Sequence, residues 1–422
     1  MIKKIINTEN KQKLFNNFLS LATLQMLNYL LPIITFPYLV RVLGIENFGL
    51  LAFAGAIVAY FAILTDYGFQ LSATKDISVN RNNKKKVIEI FSAVMSIKLF
   101  LMFCSFLILF FIISSIDSLK KDMLIYIFTF GSIVGQVLLP TWFFQGMEKM
   151  KYITIVNIIS RVIFTISIFI FIENENDVYF VPLLNSLGAI IAGIISLAFV
   201  KKEFNISFKF QKTNILKKYF LEGWHIFMQK FYVNIYTRTN ILILGILTNN
   251  TVVGYYSIAE KIIDIFRQLF TVISQVFYPH FAQLVKNNPL LAFTQLKKVT
   301  SVMLIVSFLS TMILFFSENF IISIITGQDS NNEIIVVLNV LMLGITLIPL
   351  FSLLTTTLVS INKSIVLNKI ARNSALISLV LSPTLIYFFN GVGLATTIVI
   401  LQIYIIYNYS IVIYKYYKLN VR

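Results

Sequence analysis

Apolar stretches of about 20 residues or more, the length an α-helix needs to cross a bilayer, recur along this sequence. Val87–Ile113 is one of many. Twelve can be counted, near residues 16–40, 49–71, 87–113, 122–145, 152–172, 179–200, 222–247, 252–283, 299–316, 334–359, 370–389 and 392–414. Composition points the same way. Of the 422 residues, 58% are hydrophobic and 13% charged, against about 45–50% and 25% in soluble domains. Soluble enzymes, disordered tails and disulfide-rich secreted domains are excluded. Cys104, the single cysteine, lies in an apolar run and reads as a small helix residue. The Lys-rich Met1–Leu14 precedes an apolar run too long for a signal-peptide core, which predicts an uncleaved first span. The expected fold class is an all-α polytopic membrane protein of about twelve transmembrane helices.

The charge distribution orients the chain. Lys and Arg number 35 against 18 Asp and Glu, for a net charge of +17. With the N-terminus inside, 26 cations fall on cytoplasmic segments and only Arg41, Lys120 and Lys121 on outer ones. Cytoplasmic loops carry such an excess, so both termini are expected in the cytoplasm. Nucleic acid is not an expected partner, because its binding needs the basic residues on one solvated surface. The longest loop, near Lys201–Leu221, divides the chain into halves of six spans, 1–205 and 206–422. An even number of spans per half predicts parallel repeats.

Six cations remain inside spans: Lys98, Arg161, Lys230, Arg238, Lys261 and Arg267. Each costs about 2.5–3.5 kcal/mol at a lipid-exposed helix centre. They must snorkel, pair or line a water-filled cavity. Lys98 and Lys230, near soft boundaries, suit snorkelling as well as a cavity. Arg161, Arg238 and Lys261 suit the cavity better. In the seventh span Lys230, Asn234 and Arg238 form one helical stripe without an anion. In the eighth, Glu260 with Asp264 and Asp264 with Arg267 share a face that neutralises itself in part. The fifth span sets Asn157 beside Arg161, and the first holds Gln25, Asn28 and two kinking prolines, Pro32 and Pro37. A cavity rich in Arg and Lys suits an anionic ligand, phosphate above all.

Three stretches carry a resemblance. They are "PYLVRVLGIENFGLLAFA" (37–54) with "YFAILTDYGFQLSATKDIS" (60–78), "LPTWFFQGMEKMKYITIVNIISR" (139–161) and "YTRTNILILGILTNNTVVGYYSIAEKI" (236–262). They resemble the bacterial O-antigen and polysaccharide flippases of Wzx type, in the MATE-like flippase superfamily. The last three spans match only in hydropathy. The resemblance implies two six-helix bundles around a central cationic cavity, worked by alternating access in the bacterial inner membrane. It implies as substrate an undecaprenyl-diphosphate-linked oligosaccharide, carried from the cytoplasmic to the outer leaflet for O-antigen, capsule or a related surface polysaccharide. A polysaccharide polymerase and a chain-length regulator are the implied protein partners. It places Arg41 with the substrate-binding cations and Asp66 among the gating or coupling residues, where Glu260, Asp264, Pro32 and Pro37 also stand as candidates. No cofactor is implied beyond coupling to a proton or sodium gradient. Lys75 stands where the family commonly has Arg, which keeps charge but not bidentate phosphate binding.

Rival readings fit less well. Lipid II flippases typically have extra spans, and fourteen do not fit here. A cationic-drug exporter should line its cavity with acids. A membrane polymerase or glycosyltransferase usually needs a sizeable outer loop and a catalytic carboxylate, and the outer loops are short. His225 and His280 lie on different spans with no partner at metal-ligand spacing, so no metal site and no catalytic residue are expected. Gln25, Asn28, Gln136, Asn157 and Asn234 are too generic to name the glycan.

Overall fold

A computed structural model describes the backbone of residues 9–328, 331–361 and 363–420. Side chains are described from residue 30 onward, without 225, 229, 230, 232, 233, 235–238, 272, 275, 276, 278–280, 282, 286, 289, 364 and 419–420. Among the described residues every regular element is helical. In chain order these are α1 (Glu9–Asp66), α2 (Phe69–Asn80), α3 (Lys84–Ser115), α4 (Asp117–Lys120), α5 (Met123–Leu138), α6 (Thr141–Gly146), α7 (Lys151–Phe171), α8 (Phe180–Phe204), α9 (Thr213–Leu247), α10 (Asn250–Asn287), α11 (Pro289–Thr326), α12 (Asn332–Ser360) and α13 (Ser364–Asn420). A short 3-10 turn, Glu175–Tyr179, precedes α8.

The breaks have local causes. Gly44 interrupts α1 at φ 78°, a left-handed conformation that only glycine adopts cheaply. Asn390 interrupts α13 at φ 50°, and Asn is among the few residues that tolerate positive φ. The fourth apolar run, read as one span, is two helices. Leu139 precedes a proline and is pushed to extended backbone at φ −96°, ψ 95°, so α5 ends there and α6 starts after Pro140. Among the described residues, eight helical stretches are long and apolar enough to cross a bilayer, and two of them, Leu30–Asn80 and Ile365–Lys418, are more than 50 residues long. Their surfaces suit lipid. On α3, Leu101, Ser105, Leu109 and Ile113 are buried, while Phe100, Phe103 and Phe111 are exposed, Phe111 at 71%. Apolar exposure on this scale marks a surface made for another phase, and the protein is a multi-pass membrane protein.

The chain forms two compact units, Met1–Leu43 with Ala54–Phe231, and Gly44–Phe53 with Tyr232–Arg422. The changeover at 231/232 lies inside α9, whereas the sequence reading placed it at 205/206. Aromatic packing accounts for the shift: Tyr67 stacks on Phe220 at 4.5 Å and on Phe227 at 5.0 Å, which binds the first part of α9 into unit one.

Unit one is centred on rings. Trp142, Phe143 and Phe144 are fully buried with Tyr67, Phe69 and Phe91. Phe143 meets Phe91 edge-on at 5.6 Å and Phe204 at 5.1 Å. Beside this cluster α5 and α8 pack through small residues. A Cβ on Gly135 would lie 2.4 Å from Ala189, and Ser196 donates to the Leu138 carbonyl at 3.1 Å. Close backbone approach of this kind is how helices associate in lipid. The Tyr67 hydroxyl is buried and has no hydrogen-bond partner among the described residues. An unsatisfied buried hydroxyl costs about 1–3 kcal/mol. Tyr67→Phe, which keeps both stacks, is therefore expected to raise the melting temperature of the detergent-purified protein. A fall would show that the hydroxyl is satisfied after all.

In unit two, residues 45–49 of α1 lie against the start of α10 and Phe53 against Gly245 of α9, and α12 packs on α10, α11 and α13. Gln402 donates to the Gly344 carbonyl at 3.2 Å, tying α13 to α12.

Candidate functional site

The sequence-predicted residues divide between the two units. In unit one, Arg41 is exposed on α1, Pro32 is exposed, and Pro37 and Asp66 are half-buried. Gln136 is exposed on α5. Lys75 is exposed on α2. Arg161 is half-buried, ten residues from each end of α7. Asn157, one turn before it, spends an amide hydrogen on its own helix, donating to the Ile153 carbonyl at 2.8 Å. Lys98 lies 14 residues inside α3 and is buried, 5% exposed. Burial against the protein, rather than snorkelling to water, is what the structure shows for that residue.

The motif stretches of unit one meet in space. The Gln70 amide donates to Gln145 Oε1 at 2.7 Å, and the Thr141 hydroxyl donates to Gln70 Oε1 at 2.7 Å. Thr74 donates to the Trp142 carbonyl at 3.2 Å. A Cβ on Gly146 would fall 2.7 Å from the Ile77 side chain. The Gln-Leu-Ser-Ala-Thr and Thr-Trp-Phe-Phe-Gln-Gly segments are thus one joint between α2 and α6. Below it Arg81 pairs with Glu148 at 2.7 Å. Tyr219 donates to Glu89 at 3.3 Å, and burial, with the Glu89 carboxylate beside it, pushes the Tyr219 phenol above its ordinary range.

In unit two, two of the eighth-span charges line a cavity. Arg267 pairs with Asp264, as the i, i+3 spacing predicts. Glu260 is half-buried and accepts from the Tyr256 hydroxyl at 3.4 Å. Glu260 and Arg267 line a cavity of about 550 Å³ inside the unit, with Asn240 of α9, Thr271 and Ser274 of α10, Ser352, Thr355 and Thr356 of α12, and Gln402 of α13. Lys261, a residue away, is exposed and lies off this wall. Asn234 is half-buried. Gln25, Asn28, Lys230, Arg238, His225 and His280 lie outside the described side chains.

The wall is rich in acceptors. The Thr271 hydroxyl donates to the Arg267 carbonyl at 2.8 Å and Ser274 to Phe270 at 3.0 Å. Thr355 donates to Phe351 at 2.6 Å and Thr356 to Leu353 at 2.8 Å. Each of these four hydroxyl protons is spent on its own helix, which leaves the oxygens with acceptor capacity only. Asn240 Oδ1 accepts from Ser378 at 3.0 Å and from Ser382 at 3.1 Å, which fixes α9 against α13. The α10 part of the wall was legible: 260, 267, 271 and 274 fall on one helical face. Beyond Arg267, Thr271 and Ser274 continue the same face. The hydroxyls of α12 carried no comparable signal, because Ser and Thr are common in membrane helices.

Comparison with known proteins comes from three directions. Residues 14–285 match the family model described as "Polysaccharide biosynthesis protein". The chain is 30% identical over 391 residues to an Escherichia coli (strain K12) protein named "Putative O-antigen transporter", covering 92% of this chain and 94% of that protein. A Shigella dysenteriae protein of the same name is 30% identical over 271 residues, 64% of this chain and 67% of its own. Among solved structures the chain is similar to lipid II flippase MurJ in an inward closed conformation, with TM-score 0.72, 13% identity, and 93% and 87% of the two chains covered. It is also similar to an inward-facing multidrug resistance MATE family transporter of the MOP superfamily, with TM-score 0.61, 12% identity, and 89% and 95% covered. At these identities the structural likeness concerns the fold.

Proposed function

Because this chain belongs to the polysaccharide biosynthesis protein family, we propose that it is a flippase for a lipid-linked oligosaccharide. The observation that carries the reading is the 30% identity to an O-antigen transporter relative across 94% of that relative's length. The substrate is an undecaprenyl-diphosphate-linked repeat unit, moved from the cytoplasmic to the outer leaflet of the bacterial inner membrane by alternating access. The protein translocates and does no chemistry on the glycan. A polysaccharide polymerase and a chain-length regulator work beside it.

Topology fits this reading. The two kinked helices α1 and α13, at 58 and 57 residues, each supply two crossings. With them the eight apolar stretches become ten crossings, and α9 and α10 bring the total to twelve, two bundles of six with both termini cytoplasmic. Arg161 is the cation proposed to engage the diphosphate, with Lys230 and Arg238 of the seventh-span stripe as further candidates, while the polyprenyl tail stays in lipid. Arg41, Asn234, Lys261 and Arg267 extend the substrate-facing set, and Asp66, Asp264, Pro32 and Pro37 serve gating.

The test is complementation. Expression of this chain in a strain lacking its own O-antigen flippase is expected to restore surface polysaccharide. A strain that makes the lipid-linked repeat yet displays none would overturn the assignment. Coupling to a proton or sodium gradient runs through Glu260, the carboxylate of the acceptor-rich wall. Glu260→Gln keeps the volume and removes the charge. It is expected to abolish gradient-driven uptake of lipid-linked substrate in vesicles while downhill exchange persists. Uptake that still follows the imposed gradient would remove Glu260 from coupling.

A further inference from the structure

Between α8 and α9 lies a loop without regular secondary structure, residues 205–212. Asn205 ends α8 in a left-handed conformation at φ 52°. The loop is then pinned at two points: Ile206 is buried, and the Lys209 N–H donates to Ser92 Oγ of α3 at 3.0 Å. Phe208 is 43% exposed and Phe210 94% exposed, their rings edge-on at 5.3 Å. Two ordered rings on an otherwise polar loop need an apolar phase to cover them.

Charge says which phase. Residues 201–222 hold Lys201, Lys202, Lys209, Lys212, Lys217 and Lys218 against only Glu203 and Glu222. The carboxylates are engaged: Tyr152 donates to Glu203 at 3.2 Å, and Lys218 lies 4.0 Å from Glu222. The remaining lysines flank the rings on both sides. Aromatic rings among lysines at the mouth of membrane helices match an anionic bilayer interface, where rings sit at headgroup depth and lysines meet lipid phosphates.

We propose that residues 205–212 form an interfacial anchor that inserts Phe208 and Phe210 into the leaflet on the lysine-rich side and binds anionic phospholipid headgroups. This rests on the chain's being a membrane protein and not on the identity of what it transports, so its test leaves the flippase reading untouched. The chain has one cysteine, which makes spin labelling direct. In a Cys104→Ser background of the full-length protein, Phe210→Cys and Lys209→Cys are each labelled with a nitroxide and placed in vesicles. Half of the preparations are phosphatidylglycerol with phosphatidylethanolamine, and half are pure phosphatidylcholine. Position 210 is expected to collide severalfold more with oxygen, which dissolves in the bilayer, than with a water-soluble nickel chelate. Position 209 should show the reverse. The oxygen preference at 210 should fall in phosphatidylcholine. Preference for the chelate at 210 would overturn the anchor, and shielding from both reagents would mean that protein covers the rings. Equal insertion in both lipids would overturn the anionic-headgroup part. Phe208→Cys gives a second site should the label at 210 disturb the loop.

Discussion

Arg161→Ala is expected to remove surface polysaccharide while leaving the protein folded, and no less stable, in the membrane. The residue sits ten positions from each end of the 21-residue α7, about 15 Å from either end at 1.5 Å per residue. An arginine side chain cannot snorkel across that distance. No acidic group lies within ion-pair distance of it among the described residues. Without an ion-pair partner in the protein, the guanidinium adds little to the fold, so its removal should not destabilise it. A charge-assisted hydrogen bond to a phosphate is worth about 1.5–3 kcal/mol, which predicts a loss of about 10- to 150-fold in apparent affinity for a diphosphate-linked substrate. Arg161→Lys keeps the charge but loses the bidentate fork, and should fall between the two. Surface glycan, measured by gel profile, and melting temperature, measured on purified protein, separate the possibilities. Loss of glycan with an unchanged or raised melting temperature is the expected pair. Normal glycan, or an alanine variant that unfolds, would remove Arg161 from the substrate site.

Gly254→Leu is expected to abolish folding of unit two. A Cβ on Gly254 would lie 2.3 Å from the Ile45 carbonyl oxygen, and one on Gly49 1.8 Å from the Asn250 carbonyl oxygen. In both cases the obstacle is backbone, which cannot rotate away as a side chain can. Two helices meet there with nothing between them. Overpacking usually costs about 1–3 kcal/mol where side chains can shift. Here the backbones of α10 and of residues 45–49 of α1 must separate, so the cost exceeds that range. The expected measurement is loss of the monodisperse peak in size-exclusion chromatography of detergent extracts. Gly55, six residues beyond Gly49 on the same helix, is the control. A Cβ there meets nothing within 4 Å, so Gly55→Ala should be neutral or gain up to about 1 kcal/mol from helix propensity. Recovery of normal amounts of folded Gly254→Leu protein would show that the two helices do not meet at these glycines.

Much of this architecture was legible in the sequence, because a bilayer leaves the backbone few options. The gap between the last two apolar runs falls at Asn390, where α13 breaks. The gap after the first falls around Gly44. Leu139-Pro140 carried its own break signal, and hydropathy alone passed over it. The Asp264–Arg267 pair followed from i, i+3 spacing. Less visible was anything assembled from distant segments. The polar wall of the unit-two cavity draws on four helices, and Asn240 with Ser378 and Ser382 is a contact across some 140 positions of sequence. The first part of α9 joins unit one because Tyr67 stacks on Phe220 and Phe227, and nothing local in any of the three rings announces that.

The sharing of α1 bears on engineering. Residues 44–53 belong with 232–422, and their neighbours on both sides belong with the other unit. The units are therefore not contiguous cassettes, and the chain crosses from one to the other three times. A chimera that replaces only 232–422 with the counterpart from a relative sets a foreign α10 against the native Gly49. A graft that carries 44–53 along with 232–422 moves the glycine pair as one piece. For swapping specificity between family members, ten residues near the N-terminus belong to the C-terminal module.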